Sequence, residues 1–98
     1  MTHAHRVDST QKDIVTALRK AGCSVAITSG AGDGFPDLVV YRPRVSTKDL
    51  EGLYLLEVKT RGGKLTPAQE KFHGKWKGPI HIVTSVDEAL IVVGVLER

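Results

Sequence analysis

The sequence predicts a single small α/β domain, residues 1–98, built on one central mixed sheet flanked by helices. Two observations carry that prediction. Apolar residues recur at helical spacing in some segments and form short runs in others, in the order α-β-β-β-α-β-α, with glycine and proline between them. Length and composition agree, since 98 residues with 41% hydrophobic and 26% charged side chains make one ordinary globular domain. Such a chain buries only roughly 60–65% of its unfolded surface on folding, so its stability margin is thin. Residues 1–7 are expected to be flexible and outside this core.

The first helix is predicted over Ser9 to Ala21. Ile14, Val15, Ala17, Leu18 and Ala21 form its apolar stripe, and Gly22 supplies a left-handed stop. Asp8, Ser9 and Thr10 are candidate N-caps, with Gln11 three residues after Asp8 as in a capping box. Cys23 to Thr28 reads as a strand, and Ser29 to Phe35 as a glycine-rich loop. Asp37 to Tyr41 and Gly52 to Lys59 read as a strand pair, joined by a polar connection containing Pro43, Ser46 and Asp49. Thr66-Pro67-Ala68-Gln69 announces the second helix: Thr66 caps, Pro67 suits the first helical position, and Gln69 completes the box. That helix should run to Lys75 or Trp76 and stop at Gly78-Pro79. Ile80 to Thr84 is the fourth strand. Ser85-Val86-Asp87-Glu88 is a further capping box, opening a last helix that runs to about Val93.

Several function classes are excluded or disfavoured. A single cysteine, Cys23, leaves no internal disulfide and no cysteine-rich zinc site, and fits a reducing cytosol. No run approaches the ~18 apolar residues of a membrane span, and the first six residues lack the apolar stretch of a signal peptide. Fourteen Lys and Arg against eleven Asp and Glu give a net charge of +3, which permits a polyanionic partner without establishing one.

The chemistry concentrates on the strand pair. Glu57 and Lys59 are two residues apart on a strand and share a face, while Val58 points away. A hairpin brings Asp37, at the start of one strand, beside the end of its antiparallel partner. Two carboxylates at one place repel unless a cation neutralises them. All-oxygen ligation suits Mg²⁺ or Mn²⁺ far better than Zn²⁺. A lysine beside such a site can orient water or neutralise charge developing on a phosphoryl group. Hydrolysis of a phosphodiester is the reaction these parts best serve. Taken singly, each residue has a plainer role: Pro36-Asp37 as a turn start, Glu57 and Lys59 as a solvated ion pair, and Asp8, Gln11 and Gln69 as capping residues. By the same reasoning His73 is a surface or partly buried histidine, Trp76 is core, Cys23 is a small buried hydrophobe, and the lysines are the wet face of a helix.

The conjunction Gly32-Asp33-Gly34-Phe35-Pro36-Asp37-Leu38-Val39-Val40, Leu55-Leu56-Glu57-Val58-Lys59 and Lys64-Leu65-Thr66-Pro67-Ala68-Gln69 resembles the VRR-NUC branch of the PD-(D/E)xK nucleases. The segment Gly78 to Leu90 and the helical pattern Gln11, Ile14, Leu18, Gly22 are similar to the same branch. The resemblance implies a restriction-endonuclease-like core. It implies Asp37 and Glu57 as metal ligands with the Val58 backbone carbonyl, Lys59 as the catalytic lysine, and Gln69 near a phosphate or the attacking water. Related nucleases also place an acid on the first helix. Here that region holds Gln11 with Asp8 and Asp13 around it, and Gln11 and Asp8 rank above Asp13 as contributors. Ser29 is a candidate phosphate contact, and the glycine loop a place where backbone approaches DNA closely.

The function expected from these readings is a Mg²⁺- or Mn²⁺-dependent endodeoxyribonuclease. Stand-alone members of the branch resemble viral or prophage proteins related in fold to Holliday junction resolvases, so branched DNA and a bacterial cytoplasm are the expected substrate and setting. Arg42, Arg44, Arg61, Lys64, Lys71, Lys75 and Lys77 are the candidate phosphate contacts, which position a duplex without reading its sequence. The rivals are a non-catalytic DNA-binding or assembly module and a repair- or restriction-type nuclease with another DNA substrate. A homodimer is expected, because paired cuts in a junction need two sites related by twofold symmetry. Its candidate surface is Leu90 to Leu96, with packing of this tail on its own sheet as the equal alternative.

Overall fold

A computed structural model describes residues 2–44 and 51–97, with side chains from Ser9 onward. Among the described residues the elements are α1 (Thr2–Lys20), β1 (Ser24–Ile27), β2 (Leu38–Arg42), β3 (Gly52–Val58), α2 (Pro67–Lys75), β4 (His81–Val83) and α3 (Val86–Val92), the order the sequence predicts. Ser46 and Asp49, expected in the β2–β3 connection, lie outside the described residues.

The strands run β1-β2-β3-β4 across one mixed sheet. β1 pairs with β2 and β2 with β3 in antiparallel fashion, whereas β3 and β4 are parallel. A parallel pair needs a crossover rather than a hairpin, and α2 supplies it. One face of the sheet carries the core. Leu38 and Val40 of β2, Leu56 and Val58 of β3 and Val83 of β4 meet Ile14, Val15 and Leu18 of α1 and Ala89 of α3, with Cys23 and Val93 completing the cluster. Cys23 is thus the small buried hydrophobe expected, and burial pushes its thiol pKa up.

Both helices on this face end in the same way. Gly22 adopts a left-handed backbone, its N–H bonds the Arg19 carbonyl, and the Cys23 N–H bonds Leu18. Gly94 repeats the pattern, with its N–H on Ile91 and the Val95 N–H on Leu90. These are Schellman endings, in which glycine takes the positive φ that an L side chain resists.

Three expectations need correction. α1 starts at Thr2, not Ser9, so Asp8, Ser9 and Thr10 are interior rather than capping positions, and residues 2–7 form the first turns of the helix. No glycine or proline interrupts Thr2–Ala21, and adding a turn to an existing helix costs far less than nucleating one. Trp76, expected in the core, is 45% exposed; it is the C-cap of α2, a helix that buries none of its residues fully. The tail from Leu90, offered whole as a dimer surface, packs on its own core as far as Val93. Val93 is buried and Leu90 and Val92 pack against the core, while Val95 and Leu96 stay exposed.

Candidate active site

The site lies on the face of the sheet opposite the core. Leu38 pairs with Leu56, so one further step of antiparallel register sets Asp37 across from Glu57. Asp37 is fixed by three anchors. Its carbonyl accepts from the Thr28 N–H at 2.7 Å, its Oδ2 accepts from the Val58 N–H at 2.8 Å, and the preceding Pro36 carbonyl accepts from the Thr28 hydroxyl at 2.8 Å. The carboxylate therefore sits where the β2–β3 ladder ends, bonded to the strand that carries its partner acid.

Glu57 is 1% exposed, the one buried charged side chain among the described residues. Burial, and then the hydrogen bond and charge of Asp37, push its carboxyl pKa up to about 8, against the opposing pull of Lys59. Its Oε2 accepts from Gln69 Nε2 at 2.9 Å and lies 3.8 Å from Lys59 Nζ. Its Oε1 has no hydrogen-bond partner.

Gln69 joins helix start to active site. Thr66 accepts from the Gln69 N–H at 3.2 Å, and Gln69 Oε1 accepts from the Thr66 N–H at 2.8 Å, which closes the predicted capping box. The same Oε1 accepts from Lys59 Nζ at 2.6 Å. With two donors on the oxygen and a carboxylate on the nitrogen, the amide has only one satisfactory orientation. Gln69 thus holds Lys59 and Glu57 at once, rather than pointing at open solvent.

His73 was not singled out by the sequence for this role. It follows Gln69 by four residues on α2, one turn further along the same face. Its side chain is 17% exposed, and Nε2 lies 3.9 Å from Glu57 Oε1. That spacing after Gln69 was a readable sign, once the helix face toward Glu57 is known.

The glycine loop is exposed from Ser29 to Asp33 and packs inward only at its Gly34 end. Gly34 has φ +78°, and a Cβ there would lie 2.2 Å from the Ala68 carbonyl oxygen. The close backbone approach it permits is to the first turn of α2, so the loop helps seat Gln69 over Glu57. Phe35 meets Phe72 edge-on at 5.4 Å, which adds to the same seating.

The remaining candidates are more dispersed. Gln11 Nε2 donates to Ser29 Oγ at 3.4 Å, which pairs those two with each other. The Asp8 side chain lies outside the described residues, and Asp13 is exposed. Arg42 is half-buried and donates to the Val93 carbonyl at 3.1 Å. It stands five residues along β2 from Asp37, roughly 16 Å at ~3.3 Å per residue, and Arg44 lies beyond it. Both arginines are thus at the far end of the sheet, and Arg42 tethers the end of α3. Arg61, Lys64, Lys71, Lys75 and Lys77 are exposed. Arg61 lies toward Glu88, whose carboxyl is held below its usual range first by the Thr84 N–H and hydroxyl and then by this guanidinium.

No group of three or more His, Cys, Asp or Glu side chains forms a metal cage among the described residues. The donors present are the two carboxylates of Asp37 and Glu57. That set fits Mg²⁺, which takes one or two protein carboxylates and completes its shell with water and phosphate oxygen. Glu57 Oε1, buried and unpartnered, is an acceptor that a cation would satisfy.

Two acids and a lysine at the end of a mixed sheet, steadied by a glutamine from the crossover helix, define a nuclease-type core. The family model of the VRR-NUC domain matches residues 2–75. A solved structure described as a VRR_NUC domain superposes with a TM-score of 0.69 at 26% identity, covering 89% of this chain and 95% of that one. No curated protein matches. The chain belongs to the VRR-NUC family, and through it to the PD-(D/E)xK nuclease superfamily. No helix among the described residues is long and apolar enough to cross a membrane.

Proposed function

We propose that the protein is a metal-dependent endodeoxyribonuclease that cuts branched DNA. The observation that carries this reading is the buried Glu57, held beside Asp37 against its own charge and hydrogen-bonded to the glutamine that also holds Lys59. Burying a carboxylate beside another is costly, and a module that only bound a polyanion would gain nothing from it.

Asp37, Glu57 and the Val58 carbonyl would hold Mg²⁺ or Mn²⁺. Such an ion supplies Lewis-acid polarisation of the phosphodiester and lowers the pKa of water. The chain's own residues do the rest. Lys59 presents Nζ on the Glu57 side of the site, where it neutralises charge gathering on the phosphoryl oxygens as the 3′-oxygen leaves. Gln69 keeps that ammonium in place and prevents it from collapsing fully onto Glu57. Exposed cations on α2 and the loops on either side of it, Arg61, Lys64, Lys71, Lys75 and Lys77, contact flanking phosphates and set the position of the DNA.

Paired cuts in a junction call for two such sites, so the active form is proposed to be a C₂ homodimer using the exposed Val95 and Leu96 end of the tail. A bacterial cytoplasm and a viral or prophage origin complete the proposal.

The test is a cleavage panel of matched linear, nicked, flapped and four-way DNAs with Mg²⁺, Mn²⁺ or EDTA, alongside light scattering at micromolar concentration. Branched substrates should be cut with either metal and not in EDTA, and Asp37→Asn and Lys59→Ala should be folded but inactive. Cleavage that prefers linear duplex would point instead to a repair- or restriction-type substrate. A folded protein that binds DNA and never cuts it would be a binding module.

A further inference from the structure

Helix α2 and its C-cap residue Trp76 carry three side-chain columns spaced four residues apart, and only one is spent on the site. Gln69 and His73 face Glu57. Stepping round the helix, the next column is Phe72 and Trp76, and the one beyond it is Lys71 and Lys75. The order is therefore reacting centre, aromatic surface, cations.

The aromatic column lines a cleft of about 510 Å³, with walls from Asp33, Ala68, Lys71, Phe72, Lys75 and Trp76. Its rings are held in place. Phe72 and Trp76 stack with centroids 5.4 Å apart and planes 17° from parallel, and Phe35 braces Phe72 edge-on from the loop. The indole edge rests over Gly78, where a Cβ would lie 3.1 Å from Nε1. An exposed aromatic surface on a thinly stable domain costs solubility and adds nothing to its core. Its chemistry matches one component of DNA. Flat apolar rings stack on nucleobases without regard to sequence, and the two lysines beside them suit the phosphates on either side of that base. Asp33 repels phosphate from its part of the wall and accepts N–H donors, which base edges offer and phosphates do not.

We propose that this cleft is a stacking site for an unpaired nucleobase of the DNA substrate, positioned one helix column from the acids that act on the neighbouring backbone. The inference rests on the nuclease reading and refines it: the recognised feature is a base already freed from its stack, as at a branch point or bulge, not a duplex sequence. Unstacking a paired base costs a few kcal/mol, so such a site selects DNA in which that cost has already been met.

The molecule carries its own reporter, since Trp76 is its sole tryptophan. Tryptophan emission of the full-length protein is followed in EDTA, where binding is read without cleavage. The probes are a duplex with one unpaired base, the same duplex with an abasic residue at that position, and the fully paired duplex. The expected result is strong quenching by the unpaired base and little by the other two. Trp76→Ala should weaken binding of the bulged duplex about 5- to 150-fold while leaving the fully paired duplex within a few-fold, and Trp76→Phe should restore most of the loss. Equal quenching by the abasic and base-containing probes, or binding with no change in emission, overturns the stacking site while Mg²⁺-dependent cleavage, scored separately, leaves the nuclease reading standing. Failure to bind any of these DNAs overturns the stacking site, and the nuclease reading falls with it only if Mg²⁺-dependent cleavage is absent as well. An emission change driven by protein concentration alone assigns the cleft to a second copy of the chain and overturns the proposal as well.

Discussion

Glu57 Oε1 and His73 Nε2 face each other across 3.9 Å, and each is a buried polar atom without a hydrogen-bond partner. Two unpaired groups this close are costly in isolation, since a buried polar atom left unmatched forfeits about 1–3 kcal/mol. Their juxtaposition has a use if His73 orients what Glu57 binds. His73→Ala should therefore slow cleavage by about 10- to 100-fold, the usual cost of losing a group that orients a ligating carboxylate. His73→Gln, which keeps a donor near the same place, should recover part of that loss. Single-turnover cleavage across a Mg²⁺ titration is the measurement. A rate equal to wild type in His73→Ala at every Mg²⁺ concentration would show that the histidine is bystander packing.

The raised pKa of Glu57 makes a prediction for the metal-free protein. Its folded-state value of about 8 lies above the ordinary carboxyl value of 4.5, so over that interval the folded state binds a proton that the unfolded state does not. Stability from this group is complete below about pH 4.5 and is lost as pH rises through about 8. In EDTA, the melting temperature should fall from pH 5 to pH 8.5, and Glu57→Gln should flatten that fall, because an amide keeps the neutral form at all pH. Comparing the two proteins cancels other titrating groups. Adding Mg²⁺ at pH 8 should raise the melting temperature of wild type and not of the variant. Matching pH profiles for the two proteins would count against a strained carboxylate.

Gly34 and Gly32 separate backbone strain from close packing. Both have positive φ, +78° and +82°, yet a Cβ on Gly32 meets nothing within 4 Å while one on Gly34 strikes the Ala68 backbone. Gly32→Ala should cost about 1 kcal/mol of stability, the conformational term alone. Gly34→Ala should cost more, at least ~2 kcal/mol, because α2 must also move. The movement displaces Gln69, so Gly34→Ala should lose cleavage at temperatures where it is still folded. Urea denaturation and cleavage assays on the two variants check both parts. Equal destabilisation by the two substitutions would remove the packing argument.

Much of this arrangement was legible in the sequence, for identifiable reasons. Thr66, Pro67 and Gln69 fix the start of α2 through local hydrogen bonds, and Gly22 fixes the end of α1 through its own φ, so neither depends on distant packing. The meeting of Asp37 with Glu57 followed from strand parity and an antiparallel pair. What was illegible depended on which way α2 faces. His73 sits on one short helix and Trp76 caps its C-terminal end, and only the fold says that the histidine turns toward Glu57 and the indole toward solvent. Arg42 looked like a phosphate contact because its charge was visible, whereas the Val93 carbonyl that it holds, 51 residues away, was not.

Gln69 has two functions that substitution can pull apart. As the third residue of the capping box it must present an acceptor to the Thr66 N–H, and glutamate does that as well as glutamine. As the link between Lys59 and Glu57 it must also present a donor, which glutamate lacks when ionised. Gln69→Glu should keep the helix start and the contact with Lys59, yet place a third carboxylate against buried Glu57. Gln69→Ala loses the link and the side-chain half of the capping box, while the Thr66 hydroxyl still accepts from the backbone N–H of residue 69. The expected outcome is that helical content and the cap survive in Gln69→Glu, while cleavage falls at least as far as in Gln69→Ala. If glutamate at this position supports wild-type cleavage, the amide donor to Glu57 is dispensable and Gln69 serves the helix alone.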